Sequence, residues 1–195
     1  MGVAEAGPGG DAAGRRALFV DRDGTLNPDL HYLKDADRLE VFLGVGEALR
    51  LARSQGWLVL CVTNQSGIER GFYTEEDVRR IHERLNAIIA PTGGRVDAFY
   101  YCPHAPEHGC RCRKPGTELF ERAQREWSID LSKSAMVGDR VLDAEAGQKL
   151  GLRTVRVRWP LHALETDAEF AAHGVAPDLV AESFPAAVRQ LLASA

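Results

Sequence analysis

The sequence predicts an α/β fold, a parallel sheet with helices on both faces, and three observations lead there. Short apolar runs at 17–20, 57–62, 96–101, 134–137, 153–157 and 178–180 read as strands. Between them lie segments whose apolar residues recur at helical spacing, so strand and helix alternate along the chain. Several strands also run straight into polar loops, and in an open parallel sheet that edge is where ligands bind.

Residues 1–16 are rich in Gly and Ala without apolar periodicity, and are expected to form a flexible tail with no catalytic role. Ala17–Val20 is a buried strand, after which Asp21, Arg22, Asp23, Gly24 and Thr25 turn the chain away. Residues 26–40 carry Asn27, Asp29, His31, Tyr32 and Lys34 without periodicity and form a polar loop. Val45, Ala48, Leu49 and Ala52 predict a helix over 45–55, stopped by Gly56 and followed by the strand 57–62, which makes a βαβ unit. A second polar loop covers 63–71. Thr74 to Asp77 then opens a helix with capping-box character that presents Val78, Ile81, Leu85 and Ile88 on one face. The strand 96–101 leads into a Cys/His loop, 118–127 is a helix, and the strand 134–137 ends in the turn Gly138-Asp139-Arg140. A short helix over 143–150 is capped by Gly151, and the strand 153–157 follows. A strand at 178–180 and a helix over 183–192 close the fold, whereas 159–176 shows no pattern. Without a repeat or linker, residues 17–195 are expected to form a single domain.

A length of 195 residues with 45% hydrophobic content supports one well-buried core. Lys and Arg number 24 against 28 Asp and Glu, for a net charge of −4, which argues against an extended nucleic-acid or anionic-membrane surface. No apolar run approaches the roughly 20 residues of a membrane span, and the N-terminus lacks a secretory pattern. The expected setting is the cytoplasm and the expected state a monomer.

Asp21 and Asp23 stand where a nucleophile and a general acid/base would stand. One carboxylate can attack phosphorus, while a second protonates the leaving alcohol and later activates water; two solvated turn aspartates are the plainer alternative. Asp139 and Asp143 follow another strand, and converging carboxylates call for a hard cation such as Mg²⁺. Asp143 reads equally well as a first-turn acid favoured by the helix dipole. Thr63 at a strand end can hold phosphate oxygens, and Lys114 can neutralise charge shifting between attacking and leaving oxygens. Arg113, Lys114 and Pro115 form a rigidly placed basic pair suited to phosphate. Cys102-x-His104-x5-Cys110-x-Cys112 offers two short bites of soft ligands for tetrahedral Zn²⁺ with no open position, a structural zinc that staples the loop leading into Arg113 and Lys114. Reduced thiols or a disulfide are the alternative, and His108 inside the loop could compete as a ligand. His82, His162 and His173 lack partners nearby in sequence and read as surface or core histidines.

These residues resemble the haloacid dehalogenase (HAD) superfamily of phosphohydrolases, whose four motifs match Asp21-Arg22-Asp23-Gly24-Thr25, Thr63, Lys114, and Gly138-Asp139 with Asp143. The segments Asp-Arg-Asp-Gly-Thr-Leu-Asn, Thr-Asn-Gln-Ser-Gly-Ile-x-Arg-Gly, Cys-Pro-His and Cys-Arg-Cys-Arg-Lys-Pro are similar to those of D-glycero-D-manno-heptose 1,7-bisphosphate 7-phosphatases and the related histidinol-phosphatase domains. The resemblance implies a Rossmann-like core without a large cap domain, its loops doing the cap's work. It implies that Asp21 is the nucleophile and Asp23 the acid/base, and that Asp21, the Asp23 carbonyl and Asp139 hold Mg²⁺ with Asp143 behind them. Thr63 and Lys114 would steady the transferring phosphoryl group. Asp29, His31, Tyr32, Asn64, Gln65, Ser66, Arg113 and Arg140 are then candidates for binding a small phosphorylated sugar, with Arg113 placed for a second phosphate. The chain has His31-Tyr32 where the family usually shows Gly-Tyr, and Arg140 where it shows Lys. The expected activity is Mg²⁺-dependent removal of the 7-phosphate of heptose 1,7-bisphosphate, with histidinol phosphate as rival substrate. A polynucleotide 3′-phosphatase and a non-catalytic zinc-stapled binding protein are more distant alternatives.

Overall fold

A computed structural model describes residues 14–160 and 165–194, so His162 and nearly all of the expected tail lie outside the described residues. The last tail residues are tied to the fold: Arg15 bridges to Ile129, and the carbonyl of Arg16 accepts from Leu58 N. Six strands, β1 (Ala17–Val20), β2 (Leu58–Asn64), β3 (Ala98–Cys102), β4 (Ala135–Gly138), β5 (Arg153–Val157) and β6 (Leu179–Ala181), form one parallel sheet in the order β3-β2-β1-β4-β5-β6. The chain winds outward from β1 through β2 to β3, then crosses back to β4 and winds the other way. That reversal leaves a crevice at the C-terminal ends of β1 and β4.

The helices are α1 (Val45–Ser54), α2 (Glu75–Ile89), α3 (Glu118–Trp127), α4 (Val141–Lys149), α5 (Asp167–Ala172) and α6 (Phe184–Ala193). Side chains alternate across β1 with period two. Leu18 and Val20 pack with Leu49, Ile81, Leu85 and Val188 of α1, α2 and α6, whereas Ala17 and Phe19 pack with Leu119, Phe120 and Ala146 of α3 and α4. Phe19 meets Phe120 edge-on at 5.0 Å, and burying an aromatic side chain of this size contributes roughly 1.5–3 kcal/mol. All four β1 residues are fully buried, as a strand covered on both faces must be.

Some boundaries differ from the sequence reading. On α2, Ile89 is fully buried and Ile88 only partly, because the helix continues one residue into the core past the expected stripe. Within 159–176 lies α5, with a Thr166/Glu169 capping box but a single buried residue, Phe170, too little for periodicity to reveal. Thr74 and Asp77 form the expected capping box.

Candidate active site

Sheet register brings the acids together. Val20 pairs with Cys61 on one side and Val137 on the other, so Asp21, Thr63 and Asp139 leave the sheet at the same edge. After Asp21 the chain turns tightly, with the Arg22 carbonyl accepting from Leu26 N (2.9 Å) and Gly24 N donating to the Asn27 carbonyl (2.7 Å). Gly24 sits at φ +84°, and a Cβ there would lie 2.2 Å from Asp139 Oδ2. Only glycine lets this turn close over the Asp139 carboxylate.

Lys114 is the centre of one wall. Its buried Nζ donates to Asp21 Oδ1 (2.7 Å) and to the Val62 carbonyl (2.7 Å) and lies 2.6 Å from Asp143 Oδ1, so each ammonium proton has an acceptor. Burial alone favours the neutral amine, but Asp143 and Asp21 outweigh it and hold Lys114 charged. One lysine does not balance three acids. Burial pushes Asp21 up to about 7, opposed by Lys114 and reinforced by Asp143 and Asp23. Burial likewise drives Asp139 well above the carboxylate range, helped by Asp21 and Asp143 and opposed by Arg140, whose Nε lies 4.0 Å from Oδ2, and by Lys114. Asp139 Oδ1 accepts from Thr25 Oγ1 (3.2 Å), while buried Oδ2 has no hydrogen-bond partner among the described residues. The ligand oxygens of Asp21, Asp139 and Asp143 lie within 4.8 Å of one another. An orphaned buried oxygen in an over-charged carboxylate cluster fits a hard divalent cation.

Asp143 caps the start of its helix, as the first-turn reading expects, and also meets the buried lysine. Its Oδ2 accepts from Arg140 N (3.0 Å) at the start of α4, and its Oδ1 takes Lys114.

Asp23 lies on a different wall. Arg22 Nε (3.1 Å) and Asn27 Nδ2 (3.0 Å) donate to its Oδ1, and Arg22 Nη2 (2.8 Å) and Gln65 Nε2 (2.9 Å) to its Oδ2. Burial works against its charge, but Arg22 and these hydrogen bonds prevail and lower its pKa. At rest Asp23 is an ionised acceptor with both oxygens doubly engaged.

The cleft between these walls, about 260 Å³, is lined by Asp21, Asp23, Asp29, His31, Tyr32, Thr63, Asn64, Gln65, Ser66, Arg113, Lys114, Arg140 and Asp143. Several lining side chains are already committed. Asn64 Oδ1 accepts from Lys114 N (3.0 Å) and its Nδ2 donates to the Lys114 carbonyl (3.2 Å), so it clips the lysine backbone in place. Gln65 Nε2 also donates to Thr63 Oγ1 (2.9 Å). Arg140 pairs with Asp29 (2.9 Å) and lies 3.7 Å from Glu165. Arg113 donates to the His104 carbonyl (3.2 Å). His31 and Tyr32 both take left-handed backbone (φ 46° and 58°), and Tyr32 meets Phe72 edge-on at 4.6 Å across the mouth.

Cys102, His104, Cys110 and Cys112 converge, with all ligand atoms within 4.8 Å of one another and Sγ–Sγ separations of 3.2, 3.3 and 3.5 Å. Edges of a tetrahedron with Zn–S bonds of ~2.3 Å are about 3.8 Å, so the set fits a four-coordinate soft-ligand ion. His108 stands outside it, stacked on His104 at 4.0 Å and paired with Glu69 (2.8 Å).

Sequence reasoning missed the residues that hold the site from behind. His82, read as a surface or core histidine with no partner nearby in sequence, is a core residue whose partner is Arg22, 60 positions away, and Arg22 itself had received no role. Tyr73 donates to Gln65 Oε1 (2.7 Å), and Glu165 Oε2 accepts from Val141 N (2.6 Å). The Arg between the two motif aspartates was the one available signal, since a charged residue at the end of a buried strand needs a partner inside.

A HAD-hydrolase-like family model matches residues 111–187. A D-glycero-beta-D-manno-heptose-1,7-bisphosphate 7-phosphatase of Haemophilus ducreyi is 40% identical over 148 residues, covering 72% of this chain and 81% of the relative. A D-glycero-alpha-D-manno-heptose-1,7-bisphosphate 7-phosphatase of Burkholderia mallei is 38% identical over 146 residues, covering 71% and 77%. The crystal structure of D,D-heptose 1,7-bisphosphate phosphatase from B. bronchiseptica, complexed with magnesium and phosphate, superposes with a TM-score of 0.81 at 31% identity, covering 92% of this chain and 99% of that one. With the motif acids on one sheet edge and relatives at this identity over most of their length, the chain belongs to the D-glycero-D-manno-heptose-1,7-bisphosphate 7-phosphatase family of HAD-like hydrolases.

Proposed function

We propose that this phosphatase removes the 7-phosphate of a D-glycero-D-manno-heptose 1,7-bisphosphate with Mg²⁺ held by Asp21 and Asp139. The observation that carries the reading is Lys114 joining Asp21 and Asp143 at the sheet's switch point, beside an Asp139 oxygen that has no hydrogen bond among the described residues. Mg²⁺, when bound, neutralises carboxylate and phosphate oxygens in the cleft. Asp21 attacks phosphorus and carries the phosphoryl group as an aspartyl-phosphate. Lys114 offsets charge moving between attacking and leaving oxygens, and Thr63 lines the phosphate's side of the cleft. Asp23 gives a proton to the departing sugar oxygen and later takes one from water. Although ionised at rest, Asp23 gains a proton more readily once a phosphate brings negative charge beside it. Arg113 at the cleft edge suits the second phosphate, which favours the bisphosphate over histidinol phosphate.

Zn²⁺ at Cys102, His104, Cys110 and Cys112 has a structural role in this reading, fixing the loop that leads into Arg113 and Lys114. Three thiols kept reduced as ligands suit the cytoplasm. Relatives named for each anomer match almost equally well, so the choice at C1 rests on cleft details rather than overall similarity. The test is phosphate release with Mg²⁺ from both anomers of the heptose bisphosphate and from histidinol phosphate. A higher kcat/KM on either bisphosphate is expected; a preference for histidinol phosphate overturns the substrate assignment.

A further inference from the structure

Behind Asp23 lies a buried pair that the reaction does not itself consume. Arg22 is 1% exposed, a full cation sealed between the acid turn and α2. Its Nε and Nη2 form a fork on the two oxygens of Asp23 (3.1 and 2.8 Å), and its Nη1 faces Nε2 of His82 at 3.3 Å. Arginine has donors only, so Nε2 must be the acceptor and the ring proton must sit on Nδ1. Burial and the Arg22 charge hold the imidazole neutral, as an acceptor has to be. The ring is fixed in turn, stacked on Phe99 at 4.2 Å with 10° between planes. Nothing places His82 in the substrate's path: it lies behind Arg22, on the wall of a second cleft between α2, β3 and α3.

The geometry points to His82 as a positioning residue that, through Arg22, sets the direction of the Asp23 carboxylate for proton transfer to the leaving oxygen. A guanidinium meeting Asp23 alone could rotate about its stem and still keep one contact. Anchoring Nη1 to His82 leaves one orientation in which Nε and Nη2 both reach the carboxylate, with Asn27 and Gln65 completing it. Without the acceptor at residue 82, a buried N–H is orphaned and the fork turns to satisfy it.

This inference rests on the proposed role of Asp23, and its test uses the leaving group. A sugar alkoxide cannot depart without a proton, whereas p-nitrophenolate can. kcat/KM reports events up to transfer onto Asp21, the stage at which the leaving oxygen is protonated. His82→Leu, which keeps apolar packing on Phe99 but cannot accept, should lower kcat/KM on the heptose bisphosphate about 30-fold, less than the roughly 10²–10⁴-fold of a whole general acid because Asp23 is misdirected and not removed. Its loss on p-nitrophenyl phosphate should stay within about threefold. His82→Gln, whose amide oxygen can accept from Arg22, should recover most of the sugar-phosphate rate. Should His82→Leu not fold, Arg22→Lys keeps the charge without the fork and should show the same leaving-group split. Equal losses on both esters, or unaltered rates, overturn the positioning role. If the unaltered chain ignores the heptose bisphosphate, the substrate assignment fails by itself, and the same split is then read with β-glycerol phosphate, another alkyl ester.

Discussion

Asp21 and Asp23 stand two residues apart on one turn, yet their surroundings are opposite. Asp21 shares a buried cluster with Asp139 and Asp143 in which one lysine pairs with Asp21 and Asp143 but not with Asp139, and burial pushes Asp21 up to about 7. Asp23 receives donors from three side chains and is pulled below the ordinary range. The first wall is short of positive charge and invites a cation; the second is complete at rest. Without a cation this order is the reverse of what a nucleophile and a general acid need, so the proposed roles require a bound cation that lowers Asp21 and a substrate phosphate that raises Asp23. The walls also differ in how support is spread: it is concentrated in Lys114 on one side and distributed over Arg22, Asn27 and Gln65 on the other.

The largest expected effect breaks the first wall at its centre. Asp21→Asn should lower turnover by about 10⁴-fold or more, since the attacking oxygen is gone. The same change should raise the melting temperature of chelator-treated protein at pH 7. A carboxyl raised from 3.8 to about 7 contributes stability that is intact below the unfolded value and lost as pH climbs toward 7. The gain in Asp21→Asn should therefore vanish near pH 4. Asp23, with its value lowered, behaves the other way: its contribution is present above the unfolded value and disappears in acid. Phosphate release and melting curves across pH measure both. Unchanged activity would remove Asp21 from the chemistry, and a lower melting temperature at pH 7 would mean that the Lys114 pair outweighs burial and the repulsion of Asp143 and Asp23.

The acid wall was legible because its residues follow strands, and apolar runs ending in Asp at 20–21 and 138–139 mark one sheet edge wherever the strands pair in parallel. The Cys/His loop was legible from spacing alone, since short bites constrain ligands locally. The second wall was not. Arg22 and His82 are 60 positions apart, and no periodicity announces that a turn arginine will meet a histidine on α2. Asn64 and Gln65 were marked as substrate contacts because the sequence placed them in a polar loop; the structure puts Asn64 at the end of β2, and only the fold reveals that the two amides are occupied by Lys114 and Asp23. Helix α5 escaped for a different reason, its six residues burying only Phe170.

Removing the shared cation is the next sharpest test. Lys114→Met should lower kcat by about 10²–10³-fold, the scale of one lost charge contact to a developing oxyanion. It should also cost roughly 3–5 kcal/mol of stability in chelator-treated protein, because Asp21 and Asp143 lose a partner that is 3% exposed. Mg²⁺ should return part of that stability without returning the rate. Urea unfolding with and without Mg²⁺ measures it, and equal stability in the two conditions would show that the acids do not share a cation.

The smallest expected effect tests whether support around Asp23 is distributed. Tyr73 donates its hydroxyl to Gln65 Oε1 (2.7 Å), which turns the amide so that its NH₂ faces Asp23 and Thr63. In Tyr73→Phe that oxygen loses its donor, and the amide is free to flip and point its oxygen at a carboxylate. The Arg22 fork and Asn27 still hold Asp23, so the loss is that of a single neutral hydrogen bond, about 1 kcal/mol or roughly fivefold in kcat/KM on the sugar phosphate. Mg²⁺ dependence should not move, because neither Tyr73 nor Gln65 touches the acid cluster. A loss as large as that of Lys114→Met would mean that the second wall, too, hangs on one contact, and the contrast between concentrated and distributed support would fall.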